Sequence, residues 1–341
     1  MTPKIRTALL GYGLAGSVFH APSLELLEQF SLDVIVTSDP ERQAAARAAH
    51  PHATVMSRSE WSGSRSDVDL VIVATPPESH GSLAASALQG GCAVVVDKPF
   101  ALSSTEGEAL VALAKERGQL LTVYQNRRWD GEYLTLQKLL AEGALGEVRR
   151  FESRLERWQP EITKEWKAQA TVETGGGLLF DLGTHLIDQA LQLFGPVEHV
   201  YGELAARRAT ERSEDDVFVA LRHVSGVTSH LWANACAAHN APRFRVLGSE
   251  AAYVKQDADV QESQIRNGIL PGQAGYGIDP EASWGRVGRG EDTKPVATEA
   301  GNFARFYELL SAAILDGAPA PVDPADAIAG LRIVEQIRAL Q

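Results

Sequence analysis

Short apolar runs alternate with helix-forming stretches through the first third of the chain. Residues 5–10, 32–37, 53–56, 68–74, 93–96 and 120–123 have the apolar, β-branched character of strands. The run at 68–74 (VDLVIVA) is nearly all apolar, as a strand covered on both faces requires. Between these runs the pattern predicts helices up to about residue 30 and over 40–50, 77–89 and 103–117. Gly90 and Gly91 stop the third of them, and Ser103 with Glu106 forms a capping-box pattern at the start of the fourth. Such alternation predicts a parallel sheet with helices on both faces.

The pattern changes after Tyr124. An amphipathic helix fits 133–141, a long strand 147–158, and a helix 180–193 that ends at Gly195 and Pro196. Strands at 197–204, 216–224, 227–235 and 244–247 then follow with no helix between them, which predicts an antiparallel sheet. Residues 268–290 are glycine-rich and read as a long surface loop or hairpin. A helix fits 302–316, and Asp323-Pro324 is a good N-cap and first-turn pair for a last helix reaching about 340. The expected organisation is therefore α/β. A doubly wound parallel domain spans 1–123. An α+β domain with a mostly antiparallel open sheet spans 124–341, and its last helix could pack back on the first domain. No helix is in sequence position to cover one face of the 197–247 strands, so a homodimer or homotetramer is expected.

Composition narrows the function. At 341 residues the chain is long for one core and natural for two. Charged residues make up 22% and hydrophobic ones 44%, which is ordinary for a globular protein. A net charge of −12 argues against a nucleic-acid partner, which would need clustered Lys and Arg. No apolar run approaches the roughly 20 residues of a membrane span. Gly11, Gly13 and Gly16 interrupt the only stretch that could pass for a signal peptide, so the cytoplasm is the expected location. Cys92 and Cys236 sit in apolar surroundings without companions at metal-ligand spacing and read as reduced core thiols.

The first chemical motif is Gly11-Tyr12-Gly13-Leu14-Ala15-Gly16, directly after a strand and before a helix. In that setting the first glycine permits the tight turn, the second lets a pyrophosphate approach the backbone, and the third lets helix and strand pack closely. The helix start offers free N–H groups to phosphate. This is the pattern of a Rossmann domain. An NAD enzyme usually places an acid at the end of the second strand. Here the chain reads Val36-Thr37-Ser38-Asp39-Pro40-Glu41-Arg42, with hydroxyls at that place and Asp39 free to cap the next helix. Thr37 and Ser38 can donate to a 2′-phosphate and Arg42 can pair with it, so NADP is favoured and NAD is the alternative.

Asp97-Lys98-Pro99 follows a buried strand, where open α/β sheets bind ligands. Asp181 and His185 lie four apart after Gly175-Gly176-Gly177 and would share a helix face. Histidine is the natural proton carrier near neutral pH, and a carboxylate one turn away can orient it, although a plain surface pair is the competing reading. The glycine run would let that helix start approach a ligand. No third ligand completes a zinc site. Asn126, Arg128 and Trp129, within Gln125–Asp130, offer forked donors and a flat apolar face suited to a polyhydroxylated ligand, with domain packing as the alternative.

The motifs GYGLAG at 11–16, ATPP at 74–77, DKPF at 97–100, QNRRWD at 125–130, GGGLLFDLGTHLID at 175–188 and DPADA at 323–327 resemble the glucose–fructose oxidoreductase/inositol dehydrogenase/MocA family over essentially the whole chain. QNRRWD with DLGTHLID looks most like its scyllo-inositol dehydrogenase branch. The resemblance implies an oxidoreductase that moves a hydride between a nicotinamide and a secondary alcohol or ketone of a sugar or polyol. It implies that Lys98, Asp181 and His185 form the catalytic set, with His185 as acid–base, Lys98 polarising the substrate oxygen and Asp181 orienting both. Thr75, Pro76, His80 and Asp97 match positions near the cofactor, and Asp97 stands where most members have Glu. Two other functions remain open on the same fold: a non-catalytic dinucleotide-binding regulator, and a glycosidase that uses bound NAD transiently.

Overall fold

The computed structural model describes residues 4–63, 66–161, 170–208 and 212–341. They fall into two compact units. One comprises residues 1–126, 261–276 and 302–328, and the other 127–260, 277–301 and 329–341.

The first unit is built on six strands: β1 (Ile5–Leu10), β2 (Phe30–Val36), β3 (Thr54–Met56), β4 (Leu70–Val73), β5 (Ala93–Asp97) and β6 (Leu121–Tyr124). They pair in parallel in the order β3-β2-β1-β4-β5-β6, the order of a dinucleotide-binding sheet. Leu70–Val73 and Val94–Val96 are fully buried, which demands cover on both faces and explains their unbroken apolar sequence. Helix Ser104–Arg117 begins at the expected cap, with Ser103 Oγ accepting the Glu106 N–H. The region after the glycine turn departs from expectation. A π-helical turn, Ala15–His20, runs into a short α-helix, Ala21–Leu26. Pro22 has no N–H to continue an ordinary ladder, and the Ala21 N–H reaches five residues back to the Gly16 carbonyl.

The second unit is built on eight strands: β7 (Val148–Glu156), β8 (Val197–Ala205), β9 (Asp216–His223), β10 (Thr228–Asn234), β11 (Phe244–Gly248), β12 (Ala252–Lys255), β13 (Gly285–Arg289) and β14 (Asp292–Val296). Their order is β14-β13-β12-β11-β7-β10-β9-β8, antiparallel throughout except for β7 with β10. One face carries helix Thr184–Phe194, whose Phe194 packs on Phe151, and the end of helix Pro324–Ala339, whose Ile337 sits against Gly202. On the other face Phe218, His230 and Trp232 meet ring to ring, half-exposed Tyr201 joins Phe218, and Arg154 stacks 4.0 Å over Trp232.

Strand β12 and helix Gln261–Arg266 are elements that the sequence pattern did not predict. In β12 the buried Lys255 pairs with Asp279 at 3.0 Å, so a polar residue occupies a core position of the strand. The glycine-rich stretch resolves into irregular chain followed by the β13–β14 hairpin. Both cysteines are free; Cys92 is buried, while Cys236, just past the end of β10, is half-buried. Among the described residues no helix is long and apolar enough to cross a membrane, and no cluster of three His, Cys, Asp or Glu is placed to hold a metal.

Candidate active site

In the first unit the motif residues gather at the carboxyl ends of β1, β2, β4 and β5. Two of the three glycines are required by the chain's own packing. Gly11 has φ +99°, and a Cβ there would lie 2.3 Å from the Ala74 carbonyl oxygen. A Cβ on Gly16 would lie 2.1 Å from the Gly11 carbonyl oxygen. Gly13 is different, because a Cβ there would meet only the Arg42 guanidinium, at an ordinary 3.5 Å. Bare backbone therefore lies open beside a cation, as a close-approaching phosphate requires. These residues fit a dinucleotide.

The end of β2 differs by one residue from the expected strand 32–37. The strand ends at Val36, Thr37 is buried, and Ser38 is exposed with its hydroxyl accepting the Arg58 N–H. Asp39 caps the next helix, one carboxylate oxygen accepting the Arg42 N–H at 2.9 Å and the other lying 4.0 Å from the Arg42 guanidinium. Tyr12, inside the glycine turn, hydrogen-bonds His50, which in turn contacts Glu25. Leu14 is exposed, and Ala15 opens the π-helical turn.

Thr75 and Pro76 follow β4. The Thr75 hydroxyl pairs with Ser79, and Pro76 is exposed. His80 is buried, with Nε2 2.7 Å from the Thr75 carbonyl and Nδ1 2.8 Å from the Pro99 carbonyl. It ties the loop after β4 to the loop after β5, a bracing role that the motif match did not reveal. Asp97 ends β5 and Lys98 follows, with a cis bond to Pro99. The Asp97 carboxylate accepts the Lys98 backbone N–H at 2.7 Å. Burial pushes the Asp97 carboxyl up, but His20, Lys98 and His80 outweigh it and hold the group below the usual carboxylate range.

In the second unit Asp181 lies on a π-helical turn, Leu179–Gly183, that continues into helix Thr184–Phe194 carrying a buried His185. The two residues occupy successive turns of one helical segment. The glycine run before them serves the chain itself. Gly177 has φ +95°, and a Cβ there would collide with the Glu214 carboxylate at 2.3 Å. That carboxylate accepts the Leu179 N–H and is held by Arg338. A Cβ on Gly176 would lie 2.4 Å from the Ala170 carbonyl. The expectation that this run makes room for a ligand is thus replaced by a packing reason.

Asn126 and Trp129 are buried within one tight helical turn. Arg128 makes a two-pronged pair with Asp188, and Gln189 donates to the Arg127 carbonyl, so this turn is bolted to the His185 helix. Arg128 is thereby engaged within the second unit itself. Asp188 and Gln189 are further site-supporting residues, and their spacing of three and four from His185 is the signal that could have found them. Behind the turn, burial and the neighbouring Glu132 hold the Asp130 carboxyl well above its ordinary range despite Arg127.

A parallel sheet in this order, with a phosphate-fitting glycine turn at its carboxyl edge, defines a dinucleotide-binding protein, and the comparisons with known proteins make it an oxidoreductase. Residues 5–125 match the model of the oxidoreductase family with an NAD-binding Rossmann fold, and residues 133–254 match the GFO/IDH/MocA C-terminal domain. The chain belongs to the Gfo/Idh/MocA family and is an NAD(P)-binding oxidoreductase. It is 33% identical over 335 residues to scyllo-inositol 2-dehydrogenase (NADP(+)) IolW of Bacillus subtilis, a match spanning 97% of this chain and 92% of that protein. It is 36% identical to the oxidoreductase YdgJ of Escherichia coli, over 98% of this chain and 96% of that one. The solved structure of the oxidoreductase yvaA from Bacillus subtilis superposes with a TM-score of 0.92 at 32% identity, covering 99% of this chain and 96% of that one.

Proposed function

We propose that this protein is an NADP-preferring dehydrogenase of a sugar or inositol-like polyol, moving a hydride between the nicotinamide and a secondary alcohol carbon. The observation that carries the cofactor reading is the Arg42 guanidinium beside the bare backbone of Gly13, with Thr37 and Ser38 rather than an acid directly after β2; Asp39, which caps the next helix, lies 4.0 Å from Arg42. A 2′-phosphate there gains a cation, drawn from its exposed pair with Asp39. The similarity to an NADP-dependent inositol dehydrogenase over nearly the whole chain supports the same reading and the substrate class.

When bound, the nicotinamide supplies or accepts the hydride. The chain's own residues handle the proton and the charge. His185 takes the hydroxyl proton during oxidation and returns it during reduction. Lys98 holds the substrate oxygen as negative charge develops on it. Asp181 orients His185 and the substrate. Asn126 and Trp129 offer an amide and a flat face to the substrate hydroxyls. The free thiols Cys92 and Cys236 suit a reducing compartment, and we place the enzyme in the cytoplasm. The aromatic open face around Phe218 and Trp232 suits burial against a second copy, giving a homodimer or homotetramer.

Titration of NADP and NAD against the wild type and Arg42→Ala tests the cofactor reading. NADP should bind more tightly than NAD, and Arg42→Ala should weaken NADP by about 10- to 100-fold while changing NAD little. Equal or tighter NAD binding by the wild type would contradict it. Light scattering at micromolar concentration tests the assembly, and a monomer would contradict it.

A further inference from the structure

The first unit buries a histidine behind Lys98 that no step of the reaction uses. His20 ends the π-helical turn after the glycine motif and is completely inaccessible to solvent. Its Nδ1 is hydrogen-bonded to the Tyr307 hydroxyl, and its Nε2 lies 3.6 Å from Asp97 Oδ2. The ring packs on Tyr124 with centroids 4.4 Å apart. The other Asp97 oxygen accepts the Lys98 backbone N–H. The Asp97 carboxylate therefore accepts from the backbone that carries Lys98 on one side and faces the His20 ring at 3.6 Å on the other.

The hydrogen pattern follows from the partners. Burial raises the Tyr307 hydroxyl's pKa well above its ordinary value, with Asp97 adding to the effect, so Tyr307 remains a donor. It donates to Nδ1. The ring N–H then sits on Nε2 and faces Asp97 Oδ2 across 3.6 Å, an electrostatic contact longer than a hydrogen bond. Four groups face Asp97 from the elements around it: His20 from the glycine-loop turn, Tyr307 from helix Ala304–Asp316, His80 from helix His80–Gln89, and Lys98 beside it.

We propose that His20 is a positioning residue: by fixing the Asp97 carboxylate it fixes the backbone at Lys98, and so the place where the Lys98 ammonium meets the substrate oxygen. Tyr307 sets the ring's orientation. This inference rests on the reading of Lys98 as the group that holds the substrate oxygen.

Steady-state kinetics against pH, with NADP affinity measured separately by fluorescence, test it in four variants. His20→Phe keeps the packing on Tyr124 and deletes both ring nitrogens. It should lower kcat by about 10- to 100-fold, the scale of a small misplacement of a reacting group, with little change in NADP affinity. Without the His20 ring beside it the Asp97 carboxyl keeps its proton to higher pH, so the acidic limb of the kcat profile should move upward. His20→Gln, whose amide reaches the place of Nε2, should restore most of the rate and the acidic limb. Tyr307→Phe should produce a smaller fall in the same direction, and it carries the test if His20→Phe does not fold. The inference is overturned if His20→Phe, or Tyr307→Phe in its stead, keeps wild-type kcat and pH profile, or if His20→Gln is no better than His20→Phe. Lys98→Ala separates the two claims. An active Lys98→Ala enzyme would defeat the reading of Lys98 itself, whereas an inactive one beside a normal His20→Phe would defeat only the role of His20.

Discussion

The molecule has two glycine runs, each leading into a π-helical turn, and they serve different ends. At 11–16 the chain needs Gly11 and Gly16 for its own turn and packing, yet among the described residues nothing requires a glycine at 13. At 175–177 the chain itself supplies the reasons: Gly176 lies against the Ala170 carbonyl and Gly177 against the Glu214 carboxylate. The first run leaves backbone open for something the chain does not contain. The second locks the start of the helix that carries Asp181 and His185. A glycine run in sequence therefore marks a close approach without saying whether a ligand or the protein's own backbone makes it. What a side chain would meet at each position tells the two apart.

The sharpest contrast between the two regions is in chemistry. The glycine turn of the first unit should govern cofactor affinity, and the locked helix of the second should govern turnover. His185→Ala should lower kcat by about 10²- to 10⁴-fold, the worth of a positioned acid–base group, with NADP affinity unchanged. A parallel loss of NADP affinity would break the division of labour.

Substituting the glycines comes next. Gly177→Ala should cost about 2–4 kcal/mol of stability, because it strains a positive φ and displaces a buried carboxylate, and thermal unfolding reads this directly. Gly13→Ala should leave the unfolding temperature near that of the wild type and weaken NADP by about 10- to 100-fold through lost approach. If Gly13→Ala instead destabilised the protein as much as Gly177→Ala, the two runs would be doing the same job.

The smallest effect concerns the polar support behind the His185 helix. The folded protein keeps the Asp130 carboxyl protonated above its ordinary range, through burial and Glu132. The unfolded chain loses that proton at lower pH, so this group lowers stability as pH rises from the unfolded toward the folded titration. Asp130→Asn removes the dependence. Its unfolding temperature relative to the wild type should therefore rise from mildly acidic to mildly alkaline pH, and a flat or falling difference would reject the assignment.

The first unit was largely legible in the sequence because its signals are local. Apolar runs such as 93–96, the cap at Ser103 and the glycine motif each depend on neighbours within a few residues. The absence of an acid at the end of β2 could be read because Asp39-Pro40 is recognisable as a helix start. In the second unit the decisive contacts are long-range. Glu214 under the glycine run, Asp279 beneath Lys255 and Asp188 opposite Arg128 lie 37, 24 and 60 positions from their partners, where no periodicity reaches. Strand β12 escaped notice because its core-facing Lys255 breaks the apolar alternation. His20 escaped because nothing in GYGLAGSVFH announces that residues 97 and 307 lie beside it.

The central claim is that this chain couples a polyol hydroxyl to NADP through His185. Its most direct test is polyol-dependent formation of NADPH, followed by absorbance across a panel of inositols and sugars, for the wild type and for His185→Ala with its NADP binding verified. The account predicts turnover by the wild type with at least one polyol, faster with NADP than with NAD, and its near-complete loss in His185→Ala. Wild-type rates in His185→Ala across the pH range, or no turnover of any polyol by the wild type despite tight NADP binding, would contradict it.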